Sequence, residues 1–286
     1  MIGDCHVHMV LDGVDYRAAM NRHRPQPDEN AIRACLSDYR NAGIVYLRDG
    51  GDKLGAAKRA GELAPEYGIE YRTPIFPICR KGRYGAFIGR TFEDFGEYRA
   101  LVDEVKRENG DFIKIMISGL MDFDHYGVIT SEPLTRTEIR DMIAYAHDSG
   151  FAVMAHANGA ETVQNAVEAG VDSIEHGAYL NEECIACLAE SGAVWTPTLV
   201  TIGNLIGCGR YPDSVLKPLL EFQMNAVCAY TERGGKIALG SDAGAYLVPH
   251  VKGRNDEYAL LKTAIGANVD EVLEAGEQAI RSKFHR

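Results

Sequence analysis

Short apolar runs alternate with longer amphipathic stretches from one end of the chain to the other. The runs read as strands: MIGDCHVH (1–8), GIVYLRDG (43–50), EYRTPIFPI (70–78), DFIKIMIS (111–118), FAVMAHA (151–157), DSIEHG (172–177), AVWTPTL (193–199) and KIALGSD (236–242). Between them, stretches such as DENAIRACLSDYRNAG (28–43), DKLGAAKRAGELAPEYG (52–68) and LTRTEIRDMIAYAHDSG (134–150) place apolar residues at helical spacing. Several stop at a glycine just before the next strand: Gly43, Gly68, Gly150, Gly170 and Gly192. Glycine there is a usual helix stop.

Strict alternation of strand and helix predicts a parallel sheet, because parallel strands need crossover connections. Eight rounds is the number that closes a barrel. The expected fold is α/β, a (β/α)8 TIM barrel, with residues 1–286 as one domain; no linker, repeat or low-complexity segment interrupts the pattern. An open doubly wound sheet is the alternative, but no GxGxxG follows the first strand.

The 286 residues suit such a barrel, and 46% hydrophobic with 25% charged residues is ordinary for a globular enzyme. A net charge of -11 argues against a nucleic-acid partner. No apolar run approaches the ~18 residues that span a bilayer, and no basic start with a long apolar core opens the chain. Cys5, Cys35, Cys79, Cys184, Cys187, Cys208 and Cys228 are odd in number and scattered, which predicts reduced thiols and a cytoplasmic location. Cys184 and Cys187 form a CxxC with no second pair, whereas a structural zinc wants four ligands.

Chemistry in a barrel gathers at the C-terminal ends of its strands. The first strand ends in His6-Val7-His8, and alternate residues share a face, so both imidazoles point the same way. The fifth ends in His156, the sixth in His176 and the eighth in Asp242. Four imidazoles and a carboxylate converging on one mouth suit a divalent transition metal, zinc above all. Lys114 lies inside the apolar fourth strand, where an ammonium is costly to bury. A desolvated, neutral amine is nucleophilic. It can take up carbon dioxide to form a carbamate, an anion able to bridge two metals. Taken singly, each residue has a plainer reading: a packed strand-end histidine, Asp242 as a turn residue, Lys114 paired with Asp122 or Asp124. Five strand ends in one order are not five independent accidents. His23, His147 and His285 fall in loop or helical stretches and are expected to be solvated.

The order HxH, Lys, His, His, Asp on the first, fourth, fifth, sixth and eighth strands resembles the amidohydrolase superfamily. The segments IKIMISG, AHANGAE, VDSIEHGAYL and ALGSDAG resemble its branch of prolidase-like dipeptidases and imidazolonepropionase relatives. The resemblance implies two divalent metal ions, with zinc expected. His6, His8 and Asp242 would hold the more buried ion, and His156 and His176 the more exposed one. Lys114 would be the carbamylated bridge, and Asp242 also the general base. The implied reaction is hydrolysis of an amide bond, peptide-like or in an N-acyl amino acid, by a metal-activated hydroxide. The alternatives are a lactone, ester or phosphoester hydrolase on the same binuclear centre, and a catalytically retired barrel used for binding. Members of the branch usually carry a β-sandwich built from both chain ends. Here five residues precede His6 and VDEVLEAGEQAIRSKFHR closes the chain as one helix, so a bare barrel is expected.

The substrate is read from the loops. CRKGRYGAFIGR (79–90) carries Arg80, Lys81, Arg83 and Arg90 and no acid. In an acidic chain this suggests a guanidinium clamp on a substrate carboxylate, with Tyr84 beside it. His125 and Tyr126 after the fourth strand, and Tyr246 and His250 after the eighth, are candidate donors to a tetrahedral oxyanion. The expected partner is a small molecule bearing a carboxylate, with no nucleic acid and no membrane. A homo-oligomer is left open.

Overall fold

The computed structural model describes residues 2–285. Ten strands carry the frame: β1 (Asp4–Val7), β2 (Tyr46–Asp49), β3 (Glu70–Arg72), β4 (Ile78–Arg80), β5 (Arg90–Phe92), β6 (Ile113–Met116), β7 (Val153–Ala157), β8 (Ser173–His176), β9 (Val194–Thr196) and β10 (Lys236–Ile237). Every strand pair is parallel. They form two hydrogen-bonded stretches, β1-β2-β3 and β10-β9-β8-β7-β6-β4-β5. Backbone bonds cross both seams. Cys5 N donates to Leu239 O at 2.7 Å, Asp242 N to His6 O at 2.8 Å and His8 N to Ala243 O at 2.8 Å, which joins β1 to the chain beyond β10. Asp111 N donates to Thr73 O at 2.9 Å, which ties the end of β3 to the start of β6. The fold is the TIM barrel that the alternation predicts.

The third predicted strand is two. Pro74 and Pro77 donate nothing to a ladder, and Ile75 takes a left-handed φ of 67°, so β3 ends at Arg72 and pairing resumes at Ile78. The predicted basic loop begins inside β4 and ends at the first residue of a further strand. β5 runs parallel to β4, with Arg80 opposite Phe92. The last predicted strand is regular over two residues only, and its remainder runs on beside β1 to Asp242.

Strands β6, β7 and β8 are buried along their whole length, because helices cover one face and the barrel interior the other. The helices start where side chains can cap them. Asp28, Asp94 and Asn181 each accept a backbone N–H, and Thr135 with Glu138 closes a capping box. Such a cap contributes about 1 kcal/mol. The C-terminal segment forms the expected helix, Val269–Lys283. It lies so close to β10 that a Cβ at Gly276 would stand 1.8 Å from Ile237 O, so only glycine fits.

His147 meets Asp172 at 2.9 Å on the surface and His285 is exposed, as expected. His23 is not solvated: it is buried, and its Nδ1 accepts from Asp28 N at 3.1 Å, which fastens the turn before helix Glu29–Asn41. All seven cysteines are free thiols. Among the described residues, no helix is long and apolar enough to cross a membrane.

Candidate metal centre

β1 delivers His6 and His8, and the chain beyond β10 delivers Asp242 beside them. Asp242 Oδ1 stands 3.2 Å from His8 Nε2 and 3.5 Å from His6 Nε2. One donor atom from each of the three lies within 4.8 Å of the others, a spacing that one cation can span. His176 at the end of β8 places its ring 5.2 Å from that of His6, and His156 on β7 places its ring 4.6 Å from that of His176. Lys114 on β6 opens into the same cavity of about 760 Å³. The six residues drawn from the strand ends are therefore one cluster.

Three of the strand-end residues in or around this cluster are held in a left-handed backbone: His176 (φ 68°), Thr198 (φ 49°) and Asp242 (φ 58°). Such a conformation costs about 1–3 kcal/mol for a non-glycine residue and survives only where its surroundings dictate it. Here they do. Trp195 Nε1 and Gln223 Nε2 both donate to His176 O, at 2.9 and 2.6 Å. Asp4 accepts from Ser241 N and Oγ, at 2.9 and 2.6 Å, and pins the turn that presents Asp242.

Partners behind the rings decide which nitrogen faces the cavity. His6 Nδ1 is 2.8 Å from Glu175 Oε2, His176 Nδ1 is 2.7 Å from Thr198 Oγ1, and His156 Nε2 is 3.1 Å from Gly119 O. Each contact engages one ring nitrogen and leaves the other for a ligand. Asn158 Nδ2 donates to the same Gly119 oxygen at 3.0 Å. Glu175 is in turn held by Arg48 Nη2 at 2.9 Å, and Arg48 Nε donates to Cys5 O at 2.7 Å, all fully buried. Sequence reasoning missed Arg48 and Glu175. The signal was present: each is a charge inside an apolar strand, as Lys114 is.

Burial pulls the His6, His156 and His176 imidazoles well below the usual histidine range. The Lys114 charge adds to this for all three, and neighbouring imidazoles do so for each. The neutral ring is the ligand form. Burial pushes Asp242 up, but His6 and His8 outweigh it and hold the carboxyl below its ordinary value. Burial brings the Lys114 ammonium from 10.5 down to about 8, against the pull of Glu175 and Asp242. Its Nζ has no hydrogen-bond partner among the described residues, and Asp122 is engaged by His125 instead.

The expected carboxylate clamp is not at the cavity. Arg80 is paired with Glu138, Lys81 with Glu93, Arg83 with Glu132 and Arg90 with Glu104. None of the four lines the cavity. Their acids come from the flanking helices and loops, which the composition of the loop alone does not show. Of the remaining candidates, Tyr84 and Tyr246 line the cavity, and the Tyr84 ring lies 4.9 Å from His156. His125 is exposed and paired with Asp122 at 3.0 Å, Tyr126 packs on Tyr179, and His250 is half-buried between Tyr39 Oη and Leu11 O, both at 3.0 Å. None of these three lines the cavity. Arg17, Arg210, Tyr16 and Phe87 take their place there.

The clustering of these strand-end groups on a barrel now has a counterpart. The sequence profile of the amidohydrolase family matches residues 2–280. The chain belongs to that family. It is a hydrolase acting on amide or peptide bonds. An uncharacterised protein of Mycobacterium tuberculosis is 31% identical over 287 residues, covering 95% of this chain and 70% of the other. Ochratoxinase of Aspergillus niger is 26% identical over 275 residues, covering 84% of this chain and 56% of its own length. Two solved amidohydrolase structures show the same fold. The ochratoxinase structure superposes with a TM-score of 0.77 at 20% identity, over 99% of this chain and 71% of that one. A Xaa-Pro dipeptidase with methionine in its active site gives a TM-score of 0.74 at 21% identity, over 99% of this chain and 75% of that one.

Proposed function

We propose that this amidohydrolase cleaves a peptide-like or N-acyl amino acid bond with two divalent cations, zinc foremost. His6, His8 and Asp242 would hold one and His156 and His176 the other. Lys114 would bridge them as a carbamate, formed when its amine bonds to carbon dioxide and loses a proton.

One observation carries the reading. Among the described residues Lys114 Nζ is buried without a partner, in a cavity that His6, His8, His156, His176 and Asp242 also line. A free ammonium has no reason to be kept there. A carbamate between cations gives it one. His6 Nε2, 3.5 Å from Asp242 Oδ1, is likewise buried without a hydrogen bond, which fits a nitrogen awaiting a ligand. When bound, such cations acidify water towards a pKa of ~7 and polarise the scissile carbonyl.

The chain's own residues do the rest. Asp242, ionised and within reach of both His6 and His8, accepts the proton of the attacking water and returns it to the leaving amine. Glu175 and Thr198 hold the His6 and His176 rings. The names of two relatives, a Xaa-Pro dipeptidase and ochratoxinase, support amide bonds over lactones or phosphoesters.

Metal analysis of the purified protein, with turnover of dipeptides, N-acyl amino acids, lactones and phosphotriesters, tests the reading. Amide hydrolysis that is lost on chelation and returns with zinc is expected. Hydrolysis confined to lactones or phosphotriesters, or a protein that takes up no metal, refutes it.

A further inference from the structure

Two arginines sit at the mouth of the cavity, and among the described residues neither is paired with an acid. The Arg210 guanidinium lies over the Tyr246 ring at 4.6 Å and near the Tyr211 ring at 5.3 Å. Arg17 Nε donates to Tyr16 Oη at 3.0 Å, with the guanidinium 5.5 Å from that ring. All five residues line the cavity. The one carboxylate beside them, Asp15, accepts the backbone N–H groups of Arg17 and Ala18 at 2.8 and 3.1 Å. A guanidinium stacked on a ring keeps its N–H edge free, and that edge matches a carboxylate bidentately.

From this mouth an aromatic wall leads inward. Tyr16 meets Phe87 at 5.7 Å, Phe87 meets Tyr84 at 6.0 Å, and Tyr84 meets His156 at 4.9 Å. Tyr16, Phe87 and Tyr246 are 47%, 38% and 41% exposed, an unusual concentration of large apolar surface at one opening. A cavity of about 760 Å³ is of the size that takes a small organic molecule.

The geometry points to an amphipathic anionic ligand: its carboxylate is held at the mouth by Arg210, with Arg17 assisting, and its apolar body lies along the Tyr16–Phe87–Tyr84 wall. The further claim that the inner end of the ligand is the scissile amide rests on the hydrolytic reading above. Arg210 is then the residue that selects a terminal carboxylate, the role that Arg80, Arg83 and Arg90 cannot fill because they are paired elsewhere.

The test separates binding from turnover. Phenylhexanoate and its carboxamide contain no bond for the enzyme to cleave between ring and head group. Their affinities are measured by calorimetry on the metal-loaded wild type, on Arg210→Ala, Arg17→Ala and Arg80→Ala, and on wild type after chelation. The wild type should prefer the acid by about tenfold or more, before and after chelation. Arg210→Ala should lose the preference, Arg17→Ala should lose part of it, and Arg80→Ala should keep it. Absence of a preference in wild type, its survival in Arg210→Ala, or its disappearance on chelation overturns the assignment; the last result would place the carboxylate on the cations. Failure of amide turnover would sink the hydrolytic reading and leave this result standing.

Discussion

Glu257 offers a measurable link between a buried charge and the shape of the site. It sits on helix Lys252–Ile265, fully buried, and its Oε2 accepts from Val200 N at 2.7 Å. That bond fastens the start of helix Val200–Gly203, just beyond the Thr198 that orients His176. Its Oε1 has no partner. Burial pushes the carboxyl from 4.5 up to about 8, with Asp4 and Asp242 adding to the rise and the backbone N–H of Val200 and Leu199 opposing it. The folded protein therefore keeps the proton while the unfolded chain has lost it. The sign follows: below pH 4.5 both states are protonated and the site costs nothing. Stability falls as pH rises from about 4.5 to about 8, then levels off. At about 1.4 kcal/mol for each tenfold change in proton affinity, the rise sets a ceiling near 5 kcal/mol. Local relaxation and water entry reduce this to about 2–3 kcal/mol. Glu257→Gln keeps an oxygen for Val200 N and cannot ionise. Urea unfolding of both proteins should coincide near pH 4.5, and the variant should gain that 2–3 kcal/mol by pH 8. Parallel curves across this range would show that Glu257 ionises normally in the fold, and the burial argument would be wrong.

Three further outcomes follow from the site. Lys114→Ala should lose most activity and part of the bound metal, and short-chain carboxylic acids should restore some of both; two retained metals and normal turnover would end the bridging role. Asp242→Asn should keep the fold, because Asn tolerates the left-handed φ of 58°, and should lower kcat by ~10²–10⁴-fold in steady-state assays; an unchanged kcat would remove Asp242 as the base. Glu175→Gln should weaken metal affinity by about 10–100-fold in competition titrations, and an unchanged affinity would mean that His6 is oriented without it.

Much of this site is legible before any coordinates because a barrel converts order along the chain into position in space. A polar residue at the end of an apolar run has one place to go, the mouth. That rule alone gathers His6, His8, His156, His176 and Asp242. It works less well where regular pairing stops. Pro74 and Pro77 hide the break between β3 and β4, and β5 is three residues long with one apolar position buried, too short to show a period. It also stays silent on what stands behind the ligands. Arg48 and Glu175 stand 127 residues apart in the sequence. Only the fold makes them partners.

The basic loop shows why local charge density is a poor guide to a binding site. Counted along the sequence, residues 79–90 hold four cations and no acid. But the chain has 41 acidic and 30 basic residues, so a cluster of cations is where surplus acids are drawn. Glu93, Glu104, Glu132 and Glu138 neutralise it one for one. A cation remains available to a ligand when its surroundings offer it something other than a carboxylate. Aromatic rings do this: they hold a guanidinium in place by its face without satisfying its N–H edge. Arg210, last of the run GCGR before Tyr211, shows no charge cluster at all in sequence, and its distinguishing partner, Tyr246, belongs to a different loop. In an acidic protein, the cation free to meet a substrate is the isolated one packed on aromatics, and the crowded ones are already neutralised.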